Sequence, residues 1–462
     1  MNNRSNTETL SFGEKVGYGL GDMAANFYMG FFGLFLLYFY TDVFGISPAA
    51  AGTMLLVTKI IDALSDPMMG LIADRTQSRW GRYRPYLLWV AIPYALLGYL
   101  LFLGPDLSPI GKIVFAYVSY TLVMLSYTAI NVPYSALLAV ISPSAKERTK
   151  ATQFRFIFAS LGTLAVGAFT KPLVAWLGGD NELLGFRLTI VIFAVVSVAL
   201  YWITFASTRE RVQLPPNDSR VRDDLSSLVK NVSWIVLALT GILIVVGLVA
   251  RFASIAFYMK YYLADDAQSV FWIFDRTAIL TSLGLIGQLI GALMTPMLTA
   301  RYEKHHLLLA MNLLHAVLLC ACYFILPTHY WLIVFVHSAG IFTFGVSITL
   351  LFSMYTDCAE YGEWQTGKNT AGLTVSASMF SLKFGSALGG ALPAFMLAWF
   401  GFVANQVQGP LAVTGIRLMF NVLPAVFFLA GGLLMLFYQI DRSTLDRMET
   451  ALRERRSSAS AT

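Results

Sequence analysis

The chain has 462 residues, of which 57% are hydrophobic and only 13% are charged. About a quarter of the residues in a typical soluble domain are charged, so this composition excludes an ordinary soluble protein. The formal net charge of +6 indicates membrane topology and contact with anionic lipid rather than binding to nucleic acid.

Apolar runs of about 20 or more residues recur along the chain, and a helix needs this length to cross about 30 Å of hydrocarbon. They are not short alternating segments, so they predict helices rather than barrel strands. The fold class is therefore an all-α polytopic membrane protein with twelve transmembrane helices. The predicted spans are 24–42, 50–73, 85–104, 111–141, 153–177, 184–207, 232–262, 271–300, 305–326, 329–355, 369–402 and 411–438.

Basic residues are concentrated in the even-numbered connections and at both termini, and Lys112 alone is basic among the odd-numbered connections. Because basic loops stay on the cytoplasmic side, both termini are predicted to be cytoplasmic. The polar N-terminus lacks the basic region and short apolar core of a cleavable signal peptide. We expect a multi-pass protein of the bacterial cytoplasmic (inner) membrane.

One long polar connection divides the chain into two sets of six spans, which is the plan of major-facilitator transporters. The segment "GLIADRTQSRWGRYRP" after the second span is similar to the cytoplasmic loop motif of that superfamily. The predicted domains are an N-terminal six-helix bundle (1–207), a cytoplasmic central loop (208–231), a C-terminal six-helix bundle (232–440) and a cytoplasmic tail (441–462).

Two carboxylates lie inside the second apolar run. Asp62 and Asp66 are four residues apart and share one helix face, with Cβ atoms about 5–6 Å apart. An aspartate at a membrane helix centre costs roughly 2.5–3.5 kcal/mol. The pair becomes tolerable by retaining one proton or by binding a small hard cation. The alternative is a structural ion pair in which Lys59, on the same side, neutralises one aspartate.

Polar side chains in other spans indicate a carbohydrate site. Thr128, Asn131 and Ser135 have helical spacings of three and four and form one polar stripe. On an isolated helix such a stripe is more often used for interhelical hydrogen bonds. The presence of further polar residues in spans of both halves favours a sugar site, since sugars need several convergent donors and acceptors. These residues are Asn26, Arg155 and Lys383.

The sequence lacks the residue patterns that an enzyme or an ATP-driven transporter would need. No nucleophile–base set or metal-ligand spacing is present, and His315 and His337 are single residues in apolar runs. A phosphate-binding loop for ATP-driven transport is also missing. We predict that the chain is not an enzyme and that it needs no cofactor besides a coupling cation, H⁺ or Na⁺.

Charged residues at the predicted cytoplasmic mouth suggest a gate. Spacing of three places Asp357, Glu360 and Glu363 on one helix face, and this face can attract the basic loop that begins at Asp74 and Arg75. A solvated acidic face is the alternative. Asp22, at the start of the first span, is interpreted as a helix cap or as part of an ion pair at the cytoplasmic edge.

The chain resembles the glycoside–pentoside–hexuronide:cation symporters, the family of the melibiose permease, over nearly its whole length. A weaker, local likeness to the glucuronide-permease branch lies in "PAFMLAWFGFVANQVQ", 393–408. The motifs that carry the resemblance are "YGLGD" (18–22), "YTDVFGIS" (40–47), "DALSDPMMG" (62–70), "RWGRYRP" (79–85), "YTAINVPYSAL" (127–137), "DCAEYGEW" (357–364) and "KFGSALGG" (383–390).

The resemblance implies a cation site at Asp62, Asp66 and Thr128, which would be the metal ligands if the coupling ion is Na⁺. Ser65 stands beside this site where the melibiose permease has an amide, and this departure puts Na⁺ in particular in question. Both H⁺ and Na⁺ therefore stay open.

The resemblance also implies sugar-binding positions. Asn131 and Asn26 stand where the melibiose permease has aspartates. Ser135 stands where it has a tryptophan, which makes the neighbouring Tyr134 the aromatic candidate for stacking on a sugar. Arg155 matches a sugar-site arginine of the melibiose permease if the two sequences are shifted by one residue relative to each other. Lys383 matches a lysine near the site, or serves as a counter-charge to the aspartates.

The predicted function is symport of a glycoside with a monovalent cation, by a chain that acts as a monomer. Because two acids of the melibiose permease are absent while Arg155 and Lys383 remain, we expect a substrate with a carboxylate, such as a hexuronide. A passive sugar facilitator or a sugar sensor on the same fold is the alternative. The expected partners are the sugar, the cation and the lipid bilayer.

Overall fold

The computed structural model describes residues 9–212, 231–265, 269–271, 273–366, 371–445, 447–448 and 450–451. Most of the predicted central loop, residues 213–230, lies outside the described residues. So do residues 446, 449 and 452–462 of the predicted tail.

Helices make up the regular structure of the described residues, apart from an isolated antiparallel bridge between Phe271 and Phe274. The helices before the central loop are α1 (Phe12–Tyr38), α2 (Pro48–Arg75), α3 (Arg84–Trp89), α4 (Ala91–Leu101), α5 (Pro109–Ile141), α6 (Ala145–Gly178) and α7 (Glu182–Ser207). Those after it are α8 (Val232–Phe257), α9 (Arg276–Thr299), α10 (Lys304–Tyr323), α11 (Tyr330–Thr366), α12 (Ala371–Trp399), α13 (Pro410–Arg417) and α14 (Leu423–Leu434). Single π-helical turns extend α1 and α8 and join α13 to α14; they are Phe39–Val43, Tyr258–Tyr262 and Leu418–Val422.

Ten helical segments of the described chain are long and apolar enough to cross a membrane. The other two predicted spans correspond to α2, whose apolar run is interrupted by charged side chains, and to the α3–α4 pair, which is broken at Val90. The chain is thus an all-α polytopic membrane protein, and its described helices are consistent with twelve spans.

Several helices begin well before the apolar runs that predicted them. The first span was predicted to begin at residue 24, but α1 begins at Phe12, where Ser11 and Glu14 form a capping box. The fifth was predicted from residue 153, but α6 begins after Ser144, whose side chain caps the helix. Side-chain caps satisfy the first backbone N–H groups, so a helix extends into polar sequence beyond the hydrocarbon.

The chain forms two compact units. The first unit comprises Met1–Pro216, Phe252–Ser282 and Ala391–Ile416, and the second comprises Asn217–Arg251, Leu283–Gly390 and Arg417–Thr462. The organisation into two six-helix bundles bounded near 207 and 232 stays a prediction.

The core of the first unit is aromatic. Phe31, Phe39, Phe102 and Phe186 are fully buried. The ring of Phe102 lies 4.9 Å from that of Phe31 and 4.6 Å from that of Phe39, between centroids. The ring of Phe186, on α7, lies 5.9 Å from that of Phe31, so these contacts hold α1 against α4 and α7. The residues predicted for the cation site lie on helices of this unit. The second unit has a separate core built around residues such as Leu308, Leu350, Met354 and Phe428.

Candidate functional site

Helix α2 has two chemically different faces. Leu64, Met68 and Leu71 are 67%, 64% and 60% exposed, and their helical spacing defines a surface suited to lipid. Asp62 is only 3% exposed and therefore faces the interior of the unit. The predicted acidic face of the second span is thus turned away from the lipid-facing side.

The buried face of α2 meets α5 at a cluster of oxygen atoms. The Thr128 hydroxyl donates to Asp62 Oδ1 at 2.8 Å and lies 3.3 Å from Asp66 Oδ1. The Ser65 hydroxyl donates to the backbone carbonyl of Asp62 at 2.9 Å and lies 3.4 Å from the Thr128 hydroxyl. The structure therefore brings together all four residues predicted for the cation site.

The chemistry of this oxygen cluster favours positive charge. A threonine hydroxyl has one hydrogen, so Thr128 can donate fully to only one of the two carboxylates beside it. Carboxylate and hydroxyl oxygens are ligands for hard cations, and two carboxylates that close also favour retention of a proton. These residues therefore fit both a Na⁺ site and a proton site.

Arg155 on α6 pairs with Asp22 on α1. Arg155 Nε lies 2.5 Å from Asp22 Oδ2, and Arg155 Nη2 lies 3.3 Å from Asp22 Oδ1. Because α1 already begins at Phe12, Asp22 does not cap it, and the ion-pair interpretation of this residue is confirmed. Arg155 Nη2 also lies 3.4 Å from the hydroxyl of the exposed Ser135.

Tyr18 and Tyr134 cover the Asp22–Arg155 pair. Their ring centroids are 5.0 Å apart, and the Tyr134 hydroxyl donates to the Tyr18 carbonyl at 2.6 Å. The Arg155 guanidinium carbon lies 4.8 Å from the centroid of the Tyr134 ring. Tyr134 is only 1% exposed, so its ring packs between α1 and α5 in this structure. Its role in stacking on a sugar stays a prediction.

The two asparagines predicted for the sugar site are half-buried. Asn26 donates to the Asp22 carbonyl at 2.8 Å and accepts from the Thr163 hydroxyl at 3.2 Å. Asn131 lies on α5 between Thr128 and Ser135, at helical spacing from both. One surface of the first unit therefore runs from the oxygen cluster to the Asp22–Arg155 pair.

The remaining predicted residues lie on other parts of the fold. Lys383 is on α12 in the second unit. Asp357, on α11 with Glu360 and Glu363, pairs with Lys304 at 2.7 Å within that unit. Asp74 and Arg75 end α2, and Asp74 accepts from the Tyr83 hydroxyl at 2.7 Å. Their predicted role as gate residues is untested.

The sequence did not indicate Glu210, which organises the loop after α2. Its carboxylate accepts from the backbone N–H groups of Arg82, Tyr83 and Arg84 at 2.9, 2.7 and 3.0 Å. Tyr83 is the N-cap of α3 and Arg84 is its first residue. A carboxylate is favoured beside the free N–H groups at the start of a helix. Burial and the hydrogen bond to Asp74 raise the pKa of Tyr83 to about 12.

Comparisons with known proteins agree with this architecture. A family model described as MFS/sugar transport protein matches residues 17–442. The inner membrane symporter YicJ of Escherichia coli is 36% identical over 93% of this chain and 92% of its own length. The isoprimeverose transporter of Lactiplantibacillus pentosus is 32% identical over 94% and 90%. The glucuronide carrier protein homolog of E. coli is 32% identical over 94% and 93%.

Solved structures share the fold at lower sequence identity. The nucleoside transporter NupG is 15% identical, with a TM-score of 0.62 over 93% of this chain and 100% of its own. A bacterial homolog of the lysosomal transporter Spinster is 14% identical, with a TM-score of 0.66 over 93% and 98%. At these identities the likeness concerns the fold alone.

Proposed function

Since this chain belongs to the MFS/sugar transport family, and within it to the glycoside–pentoside–hexuronide:cation symporters, we propose that it takes up a glycoside together with a monovalent cation. Membership in a family of transporters also means that the chain is not an enzyme. A passive sugar facilitator or a sugar sensor is the alternative function on the same fold.

The observation that carries the proposal is the oxygen cluster between α2 and α5. Asp62, Asp66 and Thr128 present three oxygen atoms, with the Thr128 hydroxyl 2.8 and 3.3 Å from the two carboxylates. Na⁺ would bind there through oxygen ligands, with Ser65 alongside; H⁺ would be shared by the carboxylates. This cluster is the part of the site that a passive facilitator would not need.

The glycoside is proposed to bind next to the cation. Asn131 lies one helical turn from Thr128, and the polar surface continues through Ser135 to Arg155 and Asn26. Asn offers both donors and acceptors to sugar hydroxyls. Lys383, on the second unit, is proposed to contribute as the sequence suggested.

Cation and sugar would promote each other's binding, because coupling between two ligands is reciprocal. Alternating access around the site then converts an ion gradient into sugar accumulation. At −100 mV one positive charge gains about 2.3 kcal/mol, which supports roughly fifty-fold accumulation of a neutral sugar. An anionic sugar moving with one cation would lose this electrical contribution.

We further propose a monomer in the bacterial inner membrane, with both termini in the cytoplasm. The predicted basic cytoplasmic loops and the inner-membrane relative support this placement. Asp74 and Arg75, together with Asp357, Glu360 and Glu363, are proposed to act as gate residues at the cytoplasmic mouth, as their charge pattern suggested.

The decisive experiment compares the Asp62→Asn, Asp66→Asn double variant with the wild type in proteoliposomes. Uphill uptake of a glycoside should require a Na⁺ or proton gradient in the wild type and disappear in the double variant. Counterflow, which needs no gradient, reports whether the variant still carries sugar. Asp180→Asn, at an exposed position, is the matched control. Gradient-driven uptake that persists in the double variant would contradict symport.

A further inference from the structure

Asp22 is a partly buried acid to which the proposed cation and sugar sites assign no role. It ends the "YGLGD" motif and lies on α1, one turn before Asn26. Its carboxylate makes two contacts to the guanidinium of Arg155, at 2.5 and 3.3 Å. Arg155 is also the residue that a carboxylate-bearing substrate was expected to use.

The two-contact ion pair between Asp22 and Arg155 is a strong interaction. Two parallel contacts between arginine and a carboxylate combine charge attraction with fixed geometry. The side chains of Arg155 and Asp22 are only 19% and 14% exposed, so water screens the pair weakly. A substrate carboxylate would have to displace Asp22 or bind beside it, and like charges in a buried site repel.

The surroundings keep Asp22 in place. An added Cβ at Gly21 would lie 2.5 Å from the Tyr134 ring, and one at Gly162 would lie 2.9 Å from the Met23 carbonyl. The absence of side chains at these glycines lets α1 approach α5 and α6 closely. Asn26 donates to the backbone carbonyl of Asp22 at 2.8 Å. The pair is therefore positioned by packing on both sides.

Besides the carboxylate of Asp22, the guanidinium of Arg155 lies near two neutral hydroxyl groups. Nη2 lies 3.4 Å from the exposed Ser135 hydroxyl, and Nη1 lies 3.4 Å from the Tyr18 hydroxyl. A guanidinium neutralised by an acid still donates hydrogen bonds to hydroxyl groups. Such an arginine suits a sugar hydroxyl better than a second carboxylate.

We propose that Asp22 is a specificity-determining residue that neutralises Arg155 and selects uncharged glycosides over uronides. This inference rests on the proposed glycoside transport and narrows its substrate class. It differs from the expectation that the substrate is a hexuronide, because that expectation treated Arg155 as a positive group available to the substrate. Asp22 acts through Arg155 and is a positioning residue.

The test uses two sugars that differ only at C6: 4-nitrophenyl glucoside and 4-nitrophenyl glucuronide, each as the α- and β-anomer. Each competes with a radiolabelled neutral glycoside in counterflow by the reconstituted full-length protein. The wild type should be inhibited by a glucoside at least tenfold more strongly than by the matching glucuronide. Asp22→Asn should reduce this ratio at least tenfold, and Asp22→Glu should restore the wild-type preference.

The outcomes separate a selective role from a structural one. If Asp22 only ties α1 to α6, Asp22→Asn lowers the Tm and overall transport while the glucoside-to-glucuronide ratio is unchanged, and the proposal is overturned. A wild type that prefers the glucuronide also overturns it, as does a protein that recognises none of the four sugars. Counterflow needs no ion gradient, so failure of cation coupling would contradict the proposed symport and leave the sugar comparison intact.

Discussion

Asp42 and Asp62 are both buried carboxylates of the first unit, and they differ in what surrounds them. The Asp42 side chain is fully buried. It accepts from Lys260 Nζ at 3.1 Å and from the Tyr261 hydroxyl. The Thr41 hydroxyl lies 2.9 Å from it and 3.0 Å from the Leu37 carbonyl. Its negative charge is thus met by an ammonium group and a tyrosine hydroxyl.

Asp62 meets a second carboxylate across a shared hydroxyl. The Thr128 hydroxyl lies 2.8 Å from Asp62 and 3.3 Å from Asp66, and its single hydrogen serves one of them. The comparison teaches that burial alone does not reveal the role of an acid in a membrane protein. The carboxylate of Asp42 meets an ammonium group, whereas Asp62 and Asp66 share one hydroxyl and form the cation site proposed above.

The largest expected effect separates these two acids by function. Asp62→Asn should reduce steady-state accumulation of sugar from the roughly fifty-fold expected at −100 mV to about the external concentration, because the ion is no longer bound. Asp42→Asn should retain cation-dependent stabilisation in thermal unfolding experiments with Na⁺ or at lowered pH. If Asp42→Asn abolished the cation response and Asp62→Asn kept it, the roles would be reversed.

Asp42 is expected to contribute to folding stability rather than to cation binding. Asp42→Ala removes the carboxylate that binds Lys260 and should cost about 2–3 kcal/mol, less than the full cost of a broken buried pair because Lys260 is 30% exposed. Thermal unfolding of the purified protein measures the change. The exposed Asp106 provides the control, since Asp106→Ala should change stability by less than about 0.5 kcal/mol. Equal effects at both positions would contradict a structural role for Asp42.

A smaller effect is expected at the Thr128 hydroxyl of the oxygen cluster. Thr128→Val keeps the shape but removes one oxygen, and should weaken cation activation of transport about tenfold, a difference of about 1.4 kcal/mol. Thr128→Ser keeps the hydroxyl and should stay within about twofold of the wild type. Activation curves against Na⁺ and against pH measure both variants. An unchanged curve for Thr128→Val would remove Thr128 from the site.

Most of the architecture was predictable from sequence, and the family resemblance and fold class are confirmed. Span length and polar breaks are properties of contiguous residues, so they located the helices. They located the helix ends less well, because capping by Ser11 and Ser144 extends helices into polar sequence. The resemblance grouped Asp62, Asp66 and Thr128, and the structure brings these side chains together; their role as a cation site stays a prediction.

The same reasoning treated Arg155 as a positive charge available to a substrate, whereas in the structure Arg155 is paired with Asp22. Asp22 was recognised as a cap or an ion-pair candidate, but its partner was not identified. Asp22 and Arg155 are 133 residues apart in sequence, and neither periodicity nor composition relates such positions. The sequence did contain a signal that Asp22 lies near the predicted sugar site: it is four residues before Asn26 and therefore shares its helix face.

The sequence by itself determined that this protein is a helical membrane protein with paired acids on one face of its second span. Apolar length and helical periodicity suffice for that, because both act locally along the chain. Only the tertiary structure decided which partner each charge has. Thr128 meets Asp62, Arg155 meets Asp22 and Lys260 meets Asp42, and such pairings depend on how closely whole helices approach one another.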